Sequence, residues 1–219
     1  MTIEKLISLA NASGGTLYLM SVLLLVALTV IIERTLYLFK MQRSGQNLLD
    51  SLHRVGSVDA DFVQSALAKH QHLPHAGILQ AALIEPKDSS RDTSAGHLEE
   101  ALMREVPLLD RSLWMLDTVI TLAPLLGLFG TIIGMFGAFS VLGDVQNAPG
   151  QVTGGIAEAL IATASGLFIA MIGLLFFNSL NVKVRLIVHQ LEVLKLMLLN
   201  RRFGTAAADE LVRARLKIV

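Results

Sequence analysis

The sequence predicts an all-α integral membrane protein with three transmembrane helices. Its N-terminus is outside, its C-terminus inside, and long helical extensions lie on the cytoplasmic side. Two observations carry this. The first is three uncharged windows: 27 residues separate Lys5 from Glu33, 26 separate Asp117 from Asp144, and 24 separate Glu158 from Lys183. About 20 predominantly apolar residues cross a bilayer, so each window suffices. The second is the distribution of the 18 Lys and Arg residues. One precedes the first window, nine fall in 33–117, none in 144–157 and eight in 183–219. Basic residues stay on the cytoplasmic side, so the long loop and the tail belong inside.

Composition narrows the function. Charged residues make up 16% of the chain, against roughly 25% in a soluble domain. The deficit is concentrated in the three windows. The net charge of zero leaves no basic footprint for nucleic acid. The absence of cysteine excludes disulfide frameworks and thiolate metal sites.

Taken in order, residues 1–15 read as a periplasmic interfacial helix with apolar residues at Ile3, Leu6, Ile7 and Ala10. A break is expected at Gly14-Gly15. The first span covers 16–40. Charged Glu33 and Arg34 close its apolar run and no small-residue cleavage site follows, so it is not a removable signal. Residues 41–116 form a cytoplasmic helical region, with QNLLDSLHRV and DADFVQSALAKH as amphipathic helices and Asp59 or Asp61 as possible caps. HQHLPHAG breaks at Pro74. His70, His72 and His75 there read as a solvated loop rather than a metal site, because no cysteine or acidic cluster completes a ligand set. Lys87 to Arg91 is a second break. From Thr93 the chain is expected to run as one helix directly into the second span, 117–143, kinked at Pro107. A short periplasmic link, 144–154, leads to the third span, 155–182. The tail 183–219 extends that span as a helix. No repeat or low-complexity tract is present.

Three spans alone do not enclose a solute pathway, since transporters pack repeated bundles around a midplane site. A pathway would need self-association or a partner. In the second span Pro124, Gly127, Thr131, Gly134 and Ala138 share one stripe, flanked by Gly130 and Gly137. In the third, Ala159, Thr163, Gly166, Ala170 and Gly173 form one small-residue stripe, and Glu158, Ala162, Ser165 and Ile169 form a second, rotated stripe. Small residues let helices approach closely in lipid, so Pro124, Gly127, Gly130, Gly134, Gly166 and Gly173 are expected at helix contacts. Thr131, Thr163, Ser165 and Glu158 are the candidate ion pathway.

Glu158 has two readings. It is an interfacial carboxylate favoured by a helix N-terminus, or an intramembrane carboxyl lining a polar cavity. The second is preferred. Thr163 lies five residues further in, about 7.5 Å along the axis. Between the charges that bound them, the three windows hold no Asp, His, Lys or Arg to relay a proton onward. If ions cross, another subunit has to supply the titrating group.

APLLGLFGTIIGMFGAF (123–139) and GGIAEALIATASGLFIAMIGLLFFN (154–178) resemble the ExbB/TolQ/MotA proton-channel family, at its ExbB/TolQ end. LDRSLWMLDTVITL and IERTLYLF also fit. The resemblance is strong over 105–182. It implies a pentamer whose second and third spans line a pore. It implies a single-span ExbD/TolR-like partner with an essential intramembrane Asp, and a TonB- or TolA-like protein carrying the motion to the outer membrane. The family's pore threonines match Thr131 and Thr163, and its glutamate matches Glu158. Three spans and a compact loop depart from MotA and speak against a flagellar stator. The expected function is a proton-channel or stator subunit in the bacterial inner membrane, with no enzymatic activity, metal or cofactor and with H⁺ as the translocated ion. The alternative is a structural membrane scaffold without conduction. A solute transporter ranks last.

Overall fold

Three helices are long and apolar enough to cross a membrane. The computed structural model describes residues 15–54, 60–69, 71–86, 88–140 and 148–216. The expected helix before Gly14 and the possible cap Asp59 lie outside the described residues. Among those described, every regular element is a helix: α1 Thr16–Arg54, α2 Ala60–Lys69, α3 His75–Ile84, α4 Arg91–Leu109, α5 Leu113–Ser140 and α6 Ala148–Leu216. Two compact units result. The first holds Met1–Thr35 and Ser112–Leu180, the second Leu36–Arg111 and Asn181–Val219.

In the first unit, α1 begins directly after Gly15, whose φ of +86° is open to glycine at no steric cost. The three helices run in alternating directions. A Cβ on Gly130 would lie 2.9 Å from Thr16 Oγ1, and at the other end Arg34 Nη2 donates to Ser112 Oγ at 3.2 Å, so α1 and α5 are antiparallel. Gly134 faces Ala159, Gly127 faces Thr163 and Gly173 faces Ile120, so α5 and α6 are antiparallel too. The outward faces are apolar: Phe136 is 78% and Leu175 72% exposed. Apolar faces of this extent suit lipid rather than water.

One expectation fails here. The helix from Thr93 does not run into the second span. It starts at Arg91, with the Ser90 hydroxyl accepting from Thr93 N at 3.1 Å, passes through Pro107 and ends at Leu109. Asp110 N–H closes it on the Val106 carbonyl. Ser112 then takes φ +70°, a left-handed conformation uncommon for a residue other than glycine, and one that ends helices. The Arg34 guanidinium on its hydroxyl holds this turn. Sequence periodicity continued across the turn because apolar spacing on both sides is helical.

In the second unit, α1 and α6 lie side by side and parallel: Lys183 sits over the Phe39 ring at 4.9 Å, and Gln190 Nε2 donates to the Gln42 carbonyl and to Gln46 Oε1. QNLLDSLHR (46–54) is therefore the end of α1, not a separate helix. Leu38, Leu48 and Leu52 on α1 and Ile187, Leu191 and Leu194 on α6 are almost wholly buried. Helices α3 and α4 pack against each other, and Lys195 pairs with Glu99 while Arg91 Nη2 donates to Asn200 Oδ1 at 3.1 Å. His97 Nδ1 lies 2.6 Å from Glu85 Oε2. That bond, with the Ser89 and Ser94 hydroxyls, holds the Glu85 carboxyl below its ordinary value against opposing desolvation. Glu105 goes the other way, raised by burial; Gly77, lacking a Cβ, leaves room for its carboxylate.

His75 is a second correction. It is fully buried in the first turn of α3, against Gly45 and Gln190, rather than in a solvated loop. Three polar residues in five read as solvent-facing, but the residues that follow, Ile78 and Leu79, pull the turn inward. His72 is exposed and His70 lies outside the described residues. No metal-holding cluster of three or more His or acidic groups occurs among the described residues.

Candidate functional site

The seam between α5 and α6 is made of small residues. Its buried line on α6 is Ala159, Ala162, Gly166, Ile169 and Gly173, and on α5 Ala123, Gly127, Gly130, Gly134 and Ala138. The α6 spacing of 3, 4, 3 and 4 is the 3.5-residue seam of left-handed helix packing. Neither of the two stripes expected on the third span is the seam. The buried line takes Ala159, Gly166 and Gly173 from one and Ala162 and Ile169 from the other. Which line of a helix packs is set by the helix it meets, and one helix alone does not carry that.

Close approach is literal at these positions. A Cβ on Gly166 would lie 3.1 Å from the Ala123 carbonyl carbon and 3.2 Å from Gly127 Cα. One on Gly127 would lie 3.1 Å from both the Ala162 carbonyl oxygen and Thr163 Cα. Gly155, not singled out from sequence, belongs here as well, facing Ala138. Gly137 has nothing within 4 Å. Pro124, seven residues before Thr131, shares its edge and not the buried line.

Thr163 is half-buried at one edge of the seam, and its hydroxyl donates to the Gly127 carbonyl across the helix pair at 3.1 Å. Thr131 lies between Gly127 and Gly134 on α5, so the register places it between the levels of Thr163 and Ala159. Its hydroxyl donates to the Leu128 carbonyl on its own helix at 2.6 Å. Ser165 donates likewise to Ile161 at 2.8 Å. Glu158 is partly exposed.

Two details of the expected polar thread change. Five residues on a helix turn through about 140°, and the buried Ala159 and Ala162 lie between Glu158 and Thr163. The two are on opposite edges of the seam. Gly130 meets both Ala162 and Thr16, which marks the edge of Ala162, Glu158 and Ser165 as the α1 side. Thr131 and Thr163 share the other edge. Nor is Glu158 at a helix N-terminus: α6 starts at Ala148, and a dipole effect fades within the first turn. That removes the interfacial-cap reading.

Sequence reasoning passed over Thr16 and Arg34, both buried. Thr16 ends the polar run NASGGT, and Arg34 stood only as the close of an uncharged window. Their burial needed the partner helix to be visible.

Comparison with known proteins follows the same segments. The sequence profile of the MotA/TolQ/ExbB proton channel family matches residues 56–193. An ExbB-like biopolymer transport protein (ExbB-like 3) of Synechocystis is 36% identical over 159 residues, covering 70% of this chain and 74% of its own length. The Tol-Pal system protein TolQ of Haemophilus influenzae is 43% identical over 88 residues, 40% and 39% of the two chains. The biopolymer transport protein ExbB of Neisseria meningitidis is 26% identical over 206 residues, 86% and 92%. Three membrane-length apolar helices, a small-residue seam bearing Thr163, and a profile match over more than half the sequence agree: this membrane protein belongs to the MotA/TolQ/ExbB proton channel family.

Proposed function

We propose that the chain is the channel-forming stator subunit of a motor in the bacterial inner membrane, driven by the proton motive force. In this reading it self-associates, with a pentamer as the expected assembly, around a single-span ExbD/TolR-like partner that carries an intramembrane Asp. The work goes to a TonB- or TolA-like protein and so to the outer membrane. The loop 33–117, which carries nine of the Lys and Arg residues, and the tail face the cytoplasm. Thr163 carries the proposal: it is a hydroxyl fixed at the edge of a seam lined by glycine, alanine and Ile169, one level below Thr131. Between Glu158 and Lys183, and between Asp117 and Asp144, the sequence holds no further carboxyl, so in this reading the titrating group comes from the partner. Glu158 tunes the outer mouth from the opposite edge.

The relatives named ExbB and TolQ support the pathway at that level and leave the branch between them open. A scaffold without conduction gains from one observation, that Thr131 and Ser165 commit their hydroxyl protons to their own helix. That is ordinary behaviour for threonine and serine in an apolar helix. The two readings separate in cells. Under the motor reading, Thr163→Ala or Glu158→Ala abolishes energised uptake at neutral pH while the complex still co-purifies. Full uptake in both variants sinks the site assignment, and tolerance of Thr→Val at 131 and 163 with pH-independent behaviour establishes the scaffold.

A further inference from the structure

Two polar side chains are set into the leucine and isoleucine core of the second unit. His75 on α3 is wholly buried, and Gln190 on α6 is 7% exposed. Both converge on Gly45 of α1: a Cβ there would lie 2.6 Å from His75 Nε2 and 2.6 Å from Gln190 Oε1. The missing Cβ is what lets three helices meet around two polar groups.

The Gln190 amide is oriented. Its Nε2 donates to the Gln42 carbonyl at 3.3 Å and to Gln46 Oε1 at 3.0 Å. A backbone carbonyl only accepts, so the amide nitrogen has to face it. That leaves Oε1 on the side of Gly45 and the imidazole, a buried acceptor without a hydrogen-bond partner among the described residues. The imidazolium has two N–H groups where the neutral ring has one, so a proton on His75 would bring this acceptor a donor. One bond to a neutral amide offsets only part of the cost of taking a charge out of water.

No charge placed to complete that balance faces the ring. Gly45 and Gln190 meet it from α1 and α6. Arg43 on α1 is exposed. His189 and Glu192 on α6 are exposed and lie 3.7 Å from each other. The described side chains of α2 include no titratable group. On α4, Glu105 lies over Gly77, its carboxyl raised by burial, and His97 is taken by Glu85. The packed node therefore suits the neutral imidazole. Below about pH 6.5 a histidine exposed to water takes up a proton, while the packed ring holds none. Release of the ring becomes up to about tenfold more favourable for each unit by which the pH falls, and the packed state loses stability in acid.

We propose that His75 is an acid-sensitive latch: neutral, it holds α3 against α1 and α6; protonated, it leaves the core, frees α3 and brakes proton flow. Helices α1 and α6 run on from this node into the spans. The brake rests on the proton-channel reading, in which protons delivered to the cytoplasm lower the pH on the face that carries His75.

The test uses the full-length chain co-purified with its single-span partner. Deuterium exchange of the α3 amides, corrected for the chemical rate at each pH, is flat from pH 8 to 7 in the wild type and rises about tenfold between pH 6 and 5. In His75→Phe, whose ring does not titrate, it stays flat throughout. In lipid vesicles under a fixed potassium diffusion potential, with equal pH on both faces, proton flux falls in acid more steeply in the wild type than in His75→Phe. Should that variant not assemble, His75→Gln gives the same two results; should neither assemble, wild-type exchange alone decides. Wild-type exchange that stays flat to pH 5, or that rises as much in the variants, overturns the latch. Flux profiles that coincide in wild type and variant overturn the brake while leaving the channel reading intact. A wild-type complex that moves no ions at any pH removes the channel reading and the brake with it, and the exchange result still decides the latch.

Discussion

Helix α6 serves two units with one spacing and two kinds of side chain. In the first unit its buried line runs Ala159, Ala162, Gly166, Ile169, Gly173. In the second it runs Val184, Ile187, Leu191, Leu194, Leu198. Both keep steps of three and four, so the helix face is set by the same 3.5-residue period. The difference in size follows from the solvent each unit is built for. Between helices in lipid, burying apolar area gives no drive, because lipid tails are as apolar as leucine; attraction comes from close backbone approach and from bonds such as Thr163 to Gly127. In water, burying a leucine contributes about 1.5–3 kcal/mol, so bulk is favoured. One seam is stabilised by what its residues lack, the other by what they bring.

That contrast can be broken from both sides. The largest effect is expected from enlarging the small seam. Gly166→Leu places side-chain atoms against the Ala123 carbonyl and Gly127 Cα, which are backbone and cannot rotate away. The cost should exceed the roughly 1–3 kcal/mol of overpacking where side chains can yield, and no folded complex should elute in size-exclusion chromatography in detergent. The reverse change in the other seam is milder. Leu191→Ala, at a fully buried position, should cost about 2–5 kcal/mol, seen as a lowered melting temperature with the complex still formed. If Gly166→Leu assembles normally, or Leu191→Ala leaves melting unchanged, the division between the seams is wrong.

The smallest effect sharpens the polar side of the second unit. Glu85 is held below its ordinary value chiefly by His97. A carboxyl lowered on folding adds stability above its unfolded value, near 4.5, and loses it as pH falls through the folded value. Melting temperature should therefore decline below about pH 4.5 more steeply in the wild type than in Glu85→Gln. Equal slopes would mean the His97 bond does not persist in solution.

The parts of the fold that depend on one segment at a time were legible in advance. Uncharged length marks a span whatever its neighbours are, so the three crossing helices could be read from charge spacing alone. The helical turn signal at Pro74 and the break before Arg91 were equally local. The turn at 110–112 was not, because Ser112 carries no glycine-like signature and its left-handed backbone is held by Arg34 from 78 residues away. His75 was misread for the same reason. Its polarity is local, while its burial comes from Gly45 and Gln190, far apart in the chain.

The candidate site divides the same way. The types of residue were visible: hydroxyls at 131, 163 and 165, a lone carboxyl at 158, and glycines at helical spacing. Their sides were not. Helix geometry alone separates Glu158 from Thr163 by about 140°, but only the position of α5 shows that the buried line passes between them.

By itself the sequence determined the number of spans, the distribution of Lys and Arg around them and the residue types offered to the pathway, because hydropathy and charge belong to single segments. The tertiary structure decided which line of α6 packs, where the second span begins and which way the Thr163 proton points. Each of these depends on the register between two surfaces, and register is a property of neither strip of sequence alone.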